Sequence, residues 1–173
     1  VSWQPTLVGE RLLLRPLTEA DFEPLLAAAS DPLIWAQHPQ QDRHRREVFE
    51  AYFRSGMESG GALAILEKRT GRMIGSSRFY NQGESFVEIG YTFLIREHWG
   101  GASNRELKTL MLEHAFRAVE TVYFVAGLGN LRSQKAISKL GANRLTDVRG
   151  LHLRPDLSQS AVFSLTRDAW RSR

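Results

Sequence analysis

Leu12, Leu13 and Leu14 run without a break into Arg15-Pro16, and this predicts a strand closed by proline. Thr18 followed three residues later by Asp21 has the form of a helix-capping pair, and Phe22, Leu25 and Leu26 carry the helix that follows. Asp31-Pro32 ends it. Residues 35–42 read as a loop, and a second helix places Val48, Phe49, Tyr52 and Phe53 at helical spacing before Gly60-Gly61 stops it. Three strand-like runs come next, at residues 62–67, 73–80 and 87–95. Thr70-Gly71 and Asn81-Gln82-Gly83 separate them, which predicts an antiparallel meander. The period then changes to 3.6, with Leu107, Leu110, Met111, His114, Ala115 and Ala118 on one stripe. Residues 121–126 are β-branched and aromatic, 130–140 are helical, and 143–153 and 160–165 read as two closing strands. The order β-α-α-β-β-β-α-β-α-β-β predicts an α/β fold, a mixed and mostly antiparallel sheet flanked by helices.

At 173 residues, with 42% hydrophobic and 24% charged positions, the chain has the size and composition of one packed domain spanning residues 1–173. It contains no cysteine, which excludes disulfides, thiolate metal ligands and a covalent acyl-cysteine intermediate. No His, Asp or Glu grouping has metal-ligand spacing, so no metal is expected. No apolar run approaches the ~20 residues of a membrane span, and Val1-Ser2-Trp3-Gln4-Pro5 lacks a basic region leading into a hydrophobic stretch. A cytoplasmic protein without membrane partners is the expectation. The net charge of +4 suits anionic ligands but forms no basic-aromatic pattern, so nucleic acid is not expected as a partner.

Candidate chemistry begins at His98-Trp99-Gly100-Gly101-Ala102-Ser103-Asn104-Arg105-Glu106, between the third meander strand and its helix. Ser103 and Glu106 have capping-box spacing, which predicts a helix starting near Ser103 with its first amides facing the Gly-Gly-Ala turn. Such an end attracts phosphate through its amides and its dipole, and Arg96 and Arg105 add charge. A plain strand-to-helix connection uses the same residues. Neither a Walker loop nor a G-x-G-x-x-G dinucleotide fingerprint is present. In the second segment Asn130 is placed to cap a helix on which Ser133, Ala136, Ile137 and Leu140 share the apolar face. The Ser133 hydroxyl then either bonds a carbonyl one turn earlier or points at a ligand.

These residues resemble the GNAT superfamily of acyl-CoA-dependent N-acyltransferases, in particular its RimJ/RimL-like branch. Gly9-Glu10-Arg11-Leu12-Leu13-Leu14-Arg15-Pro16-Leu17 is similar to that branch's opening strand and Glu88-Ile89-Gly90-Tyr91 to its central strand. His98-Trp99-Gly100-Gly101 with Asn104-Arg105-Glu106-Leu107 resembles its pyrophosphate loop. Asn130-Leu131-Arg132-Ser133 with Leu140-Gly141-Ala142 resembles its second motif. The resemblance implies a splayed sheet that takes acetyl-CoA as co-substrate. The pyrophosphate would lie on Gly100, Gly101, Ala102, Ser103, Asn104 and Arg105, and pantetheine would lie against Phe93, Leu94 and Ile95. Asn130 would orient the cofactor arm, and Ser133 would lie near the thioester sulfur. The chain departs from the superfamily's Q/R-x-x-G-x-G/A pattern, with Trp99 at the Gln/Arg position, Ala102 at a glycine position and Asn104 at the last small position. Ile137 stands where the superfamily often has a tyrosine acid.

The implied reaction is direct attack of a primary amine, on a small molecule or a peptide N-terminus, on the thioester in a ternary complex. Ser133 would assist the leaving thiolate and Glu88 would accept the amine proton through water, with His38 a second candidate base. Glu88 reads equally as a surface ion-pair residue, and His38 as a loop residue shaping the cleft. Trp35 and His38 would form one wall of the acceptor cleft, and His152 and Arg154 the other. Arg43-His44-Arg45-Arg46 reads most simply as the exposed start of the second helix or, failing that, as a contact for an acidic substrate or the CoA phosphate. His114 reads as a core histidine. A non-catalytic acyl-CoA-binding domain is the alternative function, and a homodimer stays open.

Overall fold

A computed structural model describes all residues, Val1–Arg173. The elements in chain order are β1 (Leu7–Val8), β2 (Leu12–Pro16), α1 (Phe22–Ala29), α2 (Arg46–Ser59), β3 (Ala62–Glu67), β4 (Met73–Tyr80) and β5 (Phe86–Leu94). After these come α3 (Ala102–Ala115), β6 (Thr121–Gly127), α4 (Leu131–Lys139), β7 (Asn143–Arg144), β8 (Ser160–Thr166) and α5 (Arg167–Arg171). The strands form one eight-stranded sheet in the order β1-β2-β3-β4-β5-β6-β8-β7. Every neighbouring pair is antiparallel except β5 and β6, which α3 joins as a parallel crossover. No helix is long and apolar enough to cross a membrane.

Alternation along the strands sends side chains to two cores, one on each face of the sheet. Leu63, Ile65, Ile89 and Leu94 join Leu107, Met111 and Ile137 in a cluster of 24 buried residues beneath α3 and α4. Ala62, Ala64 and Phe93 join Leu25, Trp35, Phe49 and Phe53 in a cluster of 11 beneath α1 and α2. The predicted helices and meander are present, including the cap of the first helical turn, where the Thr18 amide donates to Asp21 Oδ2 at 2.8 Å. Gly60 ends α2 in the left-handed region at φ 69°.

Three sequence expectations are corrected. The strand expected over 143–153 stops at Arg144. Gly150, at φ 82°, turns the chain, and Leu151 N–H bonds the Val148 carbonyl, so the rest becomes a loop that folds back to bury Leu153. The short β1 and α5 were not anticipated. The Ser103–Glu106 capping box does not form. Glu106 instead reaches across to the β1–β2 turn, where its carboxylate accepts from the amides of Glu10, Arg11 and Leu12 at 2.8 to 3.1 Å. A Cβ on Gly9 would stand 2.8 Å from Glu106 Cδ, so this turn accepts only glycine without displacing the carboxylate.

Glu106→Ala removes the acceptor for three amides and is expected to lower unfolding free energy by about 1–2 kcal/mol. Urea denaturation measures this, and an unchanged midpoint would show that the carboxylate does not anchor the turn.

Candidate functional site

Strand β5 pairs with β6 through only three positions, Phe86, Val87 and Glu88, and from Ile89 onward the two strands part. On its other edge β5 stays paired with β4 as far as Leu94, through a register shift between Ser76 and Arg78. Opposite that shift, Tyr91 adopts φ 51°, a conformation that costs a side-chain-bearing residue on the order of 1–2 kcal/mol. Its carbonyl accepts from Tyr52 Oη at 2.6 Å, which helps hold the distortion. The gap is a cleft of about 910 Å³ lined by β5, β6, the starts of α3 and α4, and the loop before α2.

One end of the cleft is the N-terminus of α3. Gly100 has φ 69°, Gly101 is the N-cap residue, no side chain caps the helix, and its first turn contains no acidic residue. The first amides are therefore left for an external acceptor, with Gly100, Gly101, Ala102, Asn104 and Arg105 on the cleft wall. Space around Gly101 is open. Ser103 is not on that wall, because its buried hydroxyl bonds His98 Nδ1 at 2.7 Å. Arg96 is tied to Asp31. Trp99, at the motif's Gln/Arg position, donates from Nε1 to the Leu94 carbonyl at 2.9 Å and stacks under the Arg132 guanidinium at 3.6 Å. Of the positions expected beside pantetheine, Phe93 and Leu94 line the cleft. Ile95 does not, and its amide is held by the Ile74 carbonyl.

On the opposite wall Asn130 caps α4 as expected, with Oδ1 accepting from Ser133 N–H at 3.3 Å. Ser133 lines the cleft and its hydroxyl is not bonded to a carbonyl one turn back. Ile137 is buried beside it.

The far end gathers Trp35, His38, Arg43, Tyr80, Tyr91 and Arg154. Trp35 is buried, with Nε1 on the Ala29 carbonyl and its ring 5.2 Å from Phe93, so it is a core residue that also walls the cleft. Glu88 is not a surface ion-pair residue, since its side chain is fully buried. Tyr80 Oη donates to it, as do Asn81 Nδ2 at 2.7 Å and Arg154 Nη1 at 2.8 Å. Burial pushes its carboxyl above the ordinary glutamate value despite these donors. Burial and the Glu88 charge raise the Tyr80 phenol well above its usual value, so it stays protonated. Glu88 does not line the cleft, whereas Tyr80 does. His152 is exposed and off the wall.

His38 is displaced from a base role. Burial, with Arg43 and Arg132 nearby, lowers its pKa to about 4. Nδ1 accepts from the Gln40 amide at 2.9 Å, so the neutral ring carries its proton on Nε2 and has no free lone pair for an amine. His114 is a satisfied core histidine, bonded to the Ser2 carbonyl at 2.6 Å.

Sequence reasoning missed Tyr80, Tyr91 and Lys108. Lys108 was detectable as a cation three residues before Met111 and four before Leu112, both fully buried. It is 6% exposed, lines the cleft, and donates to Thr92 Oγ1 at 2.7 Å. No carboxylate pairs with it, and burial lowers its pKa from 10.5 to about 7. The unfolded chain therefore binds more protons between about pH 7 and 10.5, so Lys108 makes stability rise with pH through that window and imposes its full penalty below it. Lys108→Met is expected to raise unfolding free energy near pH 6 by on the order of 5 kcal/mol, with the gain shrinking towards pH 10. Denaturant titrations at both pH values test this, and parallel pH dependences would contradict it.

Residues 11–143 match the family model described as Acetyltransferase (GNAT) domain. A GCN5-related N-acetyltransferase from Brucella melitensis superposes with a TM-score of 0.82 at 17% identity, covering 97% of this chain and 81% of that one. The acetyltransferase from Agrobacterium tumefaciens str. C58 gives 0.73 at 23% identity, covering 94% and 95%. Mycobacterium smegmatis RimJ in complex with CoA-disulfide gives 0.71 at 16% identity, covering 96% and 89%. These structures share the fold, and with the family match over most of its length the chain belongs to the GNAT acetyltransferase family.

Proposed function

We propose that the protein is an N-acetyltransferase that moves the acetyl group of acetyl-CoA to a primary amine in a ternary complex. The observation that carries this reading is the cleft between β5 and β6, which has an uncapped helix N-terminus at one end and a buried Tyr80–Glu88 pair at the other. The amides from Gly101 to Asn104 would receive the pyrophosphate, with main chain compensating for the departures at Trp99, Ala102 and Asn104. Motif likeness supports a place in the RimJ/RimL-like branch.

The acceptor amine attacks the thioester carbon, its nitrogen loses a proton, and the carbon–sulfur bond breaks. The proton passes to Tyr80 Oη as the phenol proton moves to Glu88, because Tyr80 alone of the pair faces the cleft. Burial raises the Glu88 carboxyl above the ordinary glutamate value, which makes its carboxylate a stronger proton acceptor than an exposed glutamate. Arg154 donates to both members, at 2.9 Å to Tyr80 Oη and 2.8 Å to Glu88, and holds them in register. Ser133, its hydroxyl free, donates to the departing thiolate.

Thiol release from acetyl-CoA across a panel of amines tests the reading, alongside the melting temperature with and without acetyl-CoA. Binding without thiol release from any amine would leave a non-catalytic acyl-CoA-binding domain. Ser133→Ala is expected to lower kcat at least tenfold while changing the acetyl-CoA Kd less than threefold, in the range of lost leaving-group assistance. An unchanged kcat at saturation would remove Ser133 from the mechanism. Because Glu88 must be ionised to act, kcat/KM should fall on the acid side at a pH above the ordinary glutamate range, and Glu88→Gln should abolish that limb along with most of the rate. An acid limb persisting in Glu88→Gln would assign the proton to another group.

A further inference from the structure

The basic run before α2 divides into two kinds of residue. Arg45 pairs with Glu47 at 2.8 Å and Arg46 with Glu23 at 2.7 Å, both on the surface. Arg43 turns inward, lines the acceptor end of the cleft and forms no ion pair. Its guanidinium lies 5.3 Å from the Trp35 ring centroid and 4.9 Å from that of Tyr52. Its nearest polar neighbour is His38 Nε2 at 3.4 Å from Nη1, and that nitrogen bears a proton and cannot accept. Asp42, the adjacent carboxylate, instead accepts from Gln40 Nε2 at 2.7 Å.

A second cation stands behind it. Arg78 is 3% exposed and lies 3.9 Å from the Tyr91 ring centroid. It donates only to neutral oxygens, Ser55 Oγ at 2.9 Å and the Tyr52 carbonyl at 3.2 Å. Of the other cations near this end, Arg154 is neutralised by Glu88 and Arg132 lies over the Trp99 ring. One positive charge thus faces the acceptor space and a second lies buried behind it, both in aromatic surroundings with no carboxylate between them. In such a site a missing anion is worth more than in water.

We propose that Arg43, backed by Arg78, binds a carboxylate carried by the acceptor, so that the substrates are small amino carboxylates. This rests on the acetyl-transfer reading for the fate of the amine but not for the anion. A guanidinium matches a carboxylate with two parallel donors. A carboxylate fits better than a phosphate monoester, because of the two only Arg43 reaches the cleft wall, the neighbouring Arg132 is stacked on Trp99, and one free cation balances a monoanion.

Calorimetry tests the proposal with amino carboxylates of one to three methylenes, their primary amides, and aminoalkyl phosphates of the same lengths. Titrations are run on the full chain with and without CoA, and thiol release is measured for the same compounds. At least one carboxylate should bind tenfold or more tighter than its amide, and Arg43→Gln should erase that preference while Arg43→Lys keeps part of it. Melting temperatures check that both variants fold, and the wild-type comparison stands even if neither does. Equal affinity for carboxylate and amide, a preference surviving in Arg43→Gln, or tighter binding of the phosphate would overturn the proposal. Carboxylate preference without thiol release would keep the anion site and remove the acetyl-transfer reading. Thiol release without that preference would do the reverse.

Discussion

Everything at the site depends on the failure of β5 and β6 to stay paired. Three residues of parallel ladder join them, and beyond Glu88 the strands diverge while β5 remains bonded to β4 on its other edge. A central strand that gives up half its ladder in a buried sheet leaves main-chain groups in need of partners. Some are satisfied internally, as when Tyr52 takes the Tyr91 carbonyl and Trp99 the Leu94 carbonyl. The remainder face a cleft that a chain-like ligand can enter. The strained Tyr91 is part of the same device, since its left-handed backbone sits at the register shift where β5 turns from its neighbour.

The electrostatics of the cleft follow from that geometry. One end offers uncapped amides and the exposed Arg105, a combination suited to phosphates. The middle holds Lys108, a buried amine supported by one hydroxyl bond to Thr92, which is in turn bonded to Ser77. The other end holds an ion pair, Glu88 with Arg154, beside Arg43, which has no ion pair, and Arg78, which is bonded only to neutral oxygens. Charges buried without countercharges destabilise the empty protein and favour an anionic ligand that supplies the missing partner. Stability given up in the cleft is recovered in the two cores and in links such as Glu106 to the β1–β2 turn.

Elements with a strong period were legible from sequence. Val48, Phe49, Tyr52 and Phe53 announced α2, and Leu107 through Ala115 announced α3. The strand expected over 143–153 failed because its alternation is local, whereas Gly150 and the pull of Arg154 towards Glu88 are tertiary. The Gly100-Gly101 turn and the Asn130 cap were readable because their conformations follow from residue type. Ser103 and Glu106 misled for the reverse reason: capping-box spacing was present, but distant amides at residues 10–12 and His98 captured both side chains. Glu88 was recognised as a candidate base, yet its burial and the intervening Tyr80 depend on strand register, which no local pattern encodes. Arg43 was visible only as one member of a basic run, and its inward turn is fixed by the rings of Trp35 and Tyr52.

The central claim is that the gap between β5 and β6 receives acetyl-CoA, and amide hydrogen exchange with and without it tests this most directly. Bound ligand should slow exchange at residues 89–95 and at the first amides of α3, residues 101–104, while the β1–β2 turn exchanges as before. Exchange unchanged at both segments in saturating acetyl-CoA, or protection confined to another surface of the folded protein, would contradict it.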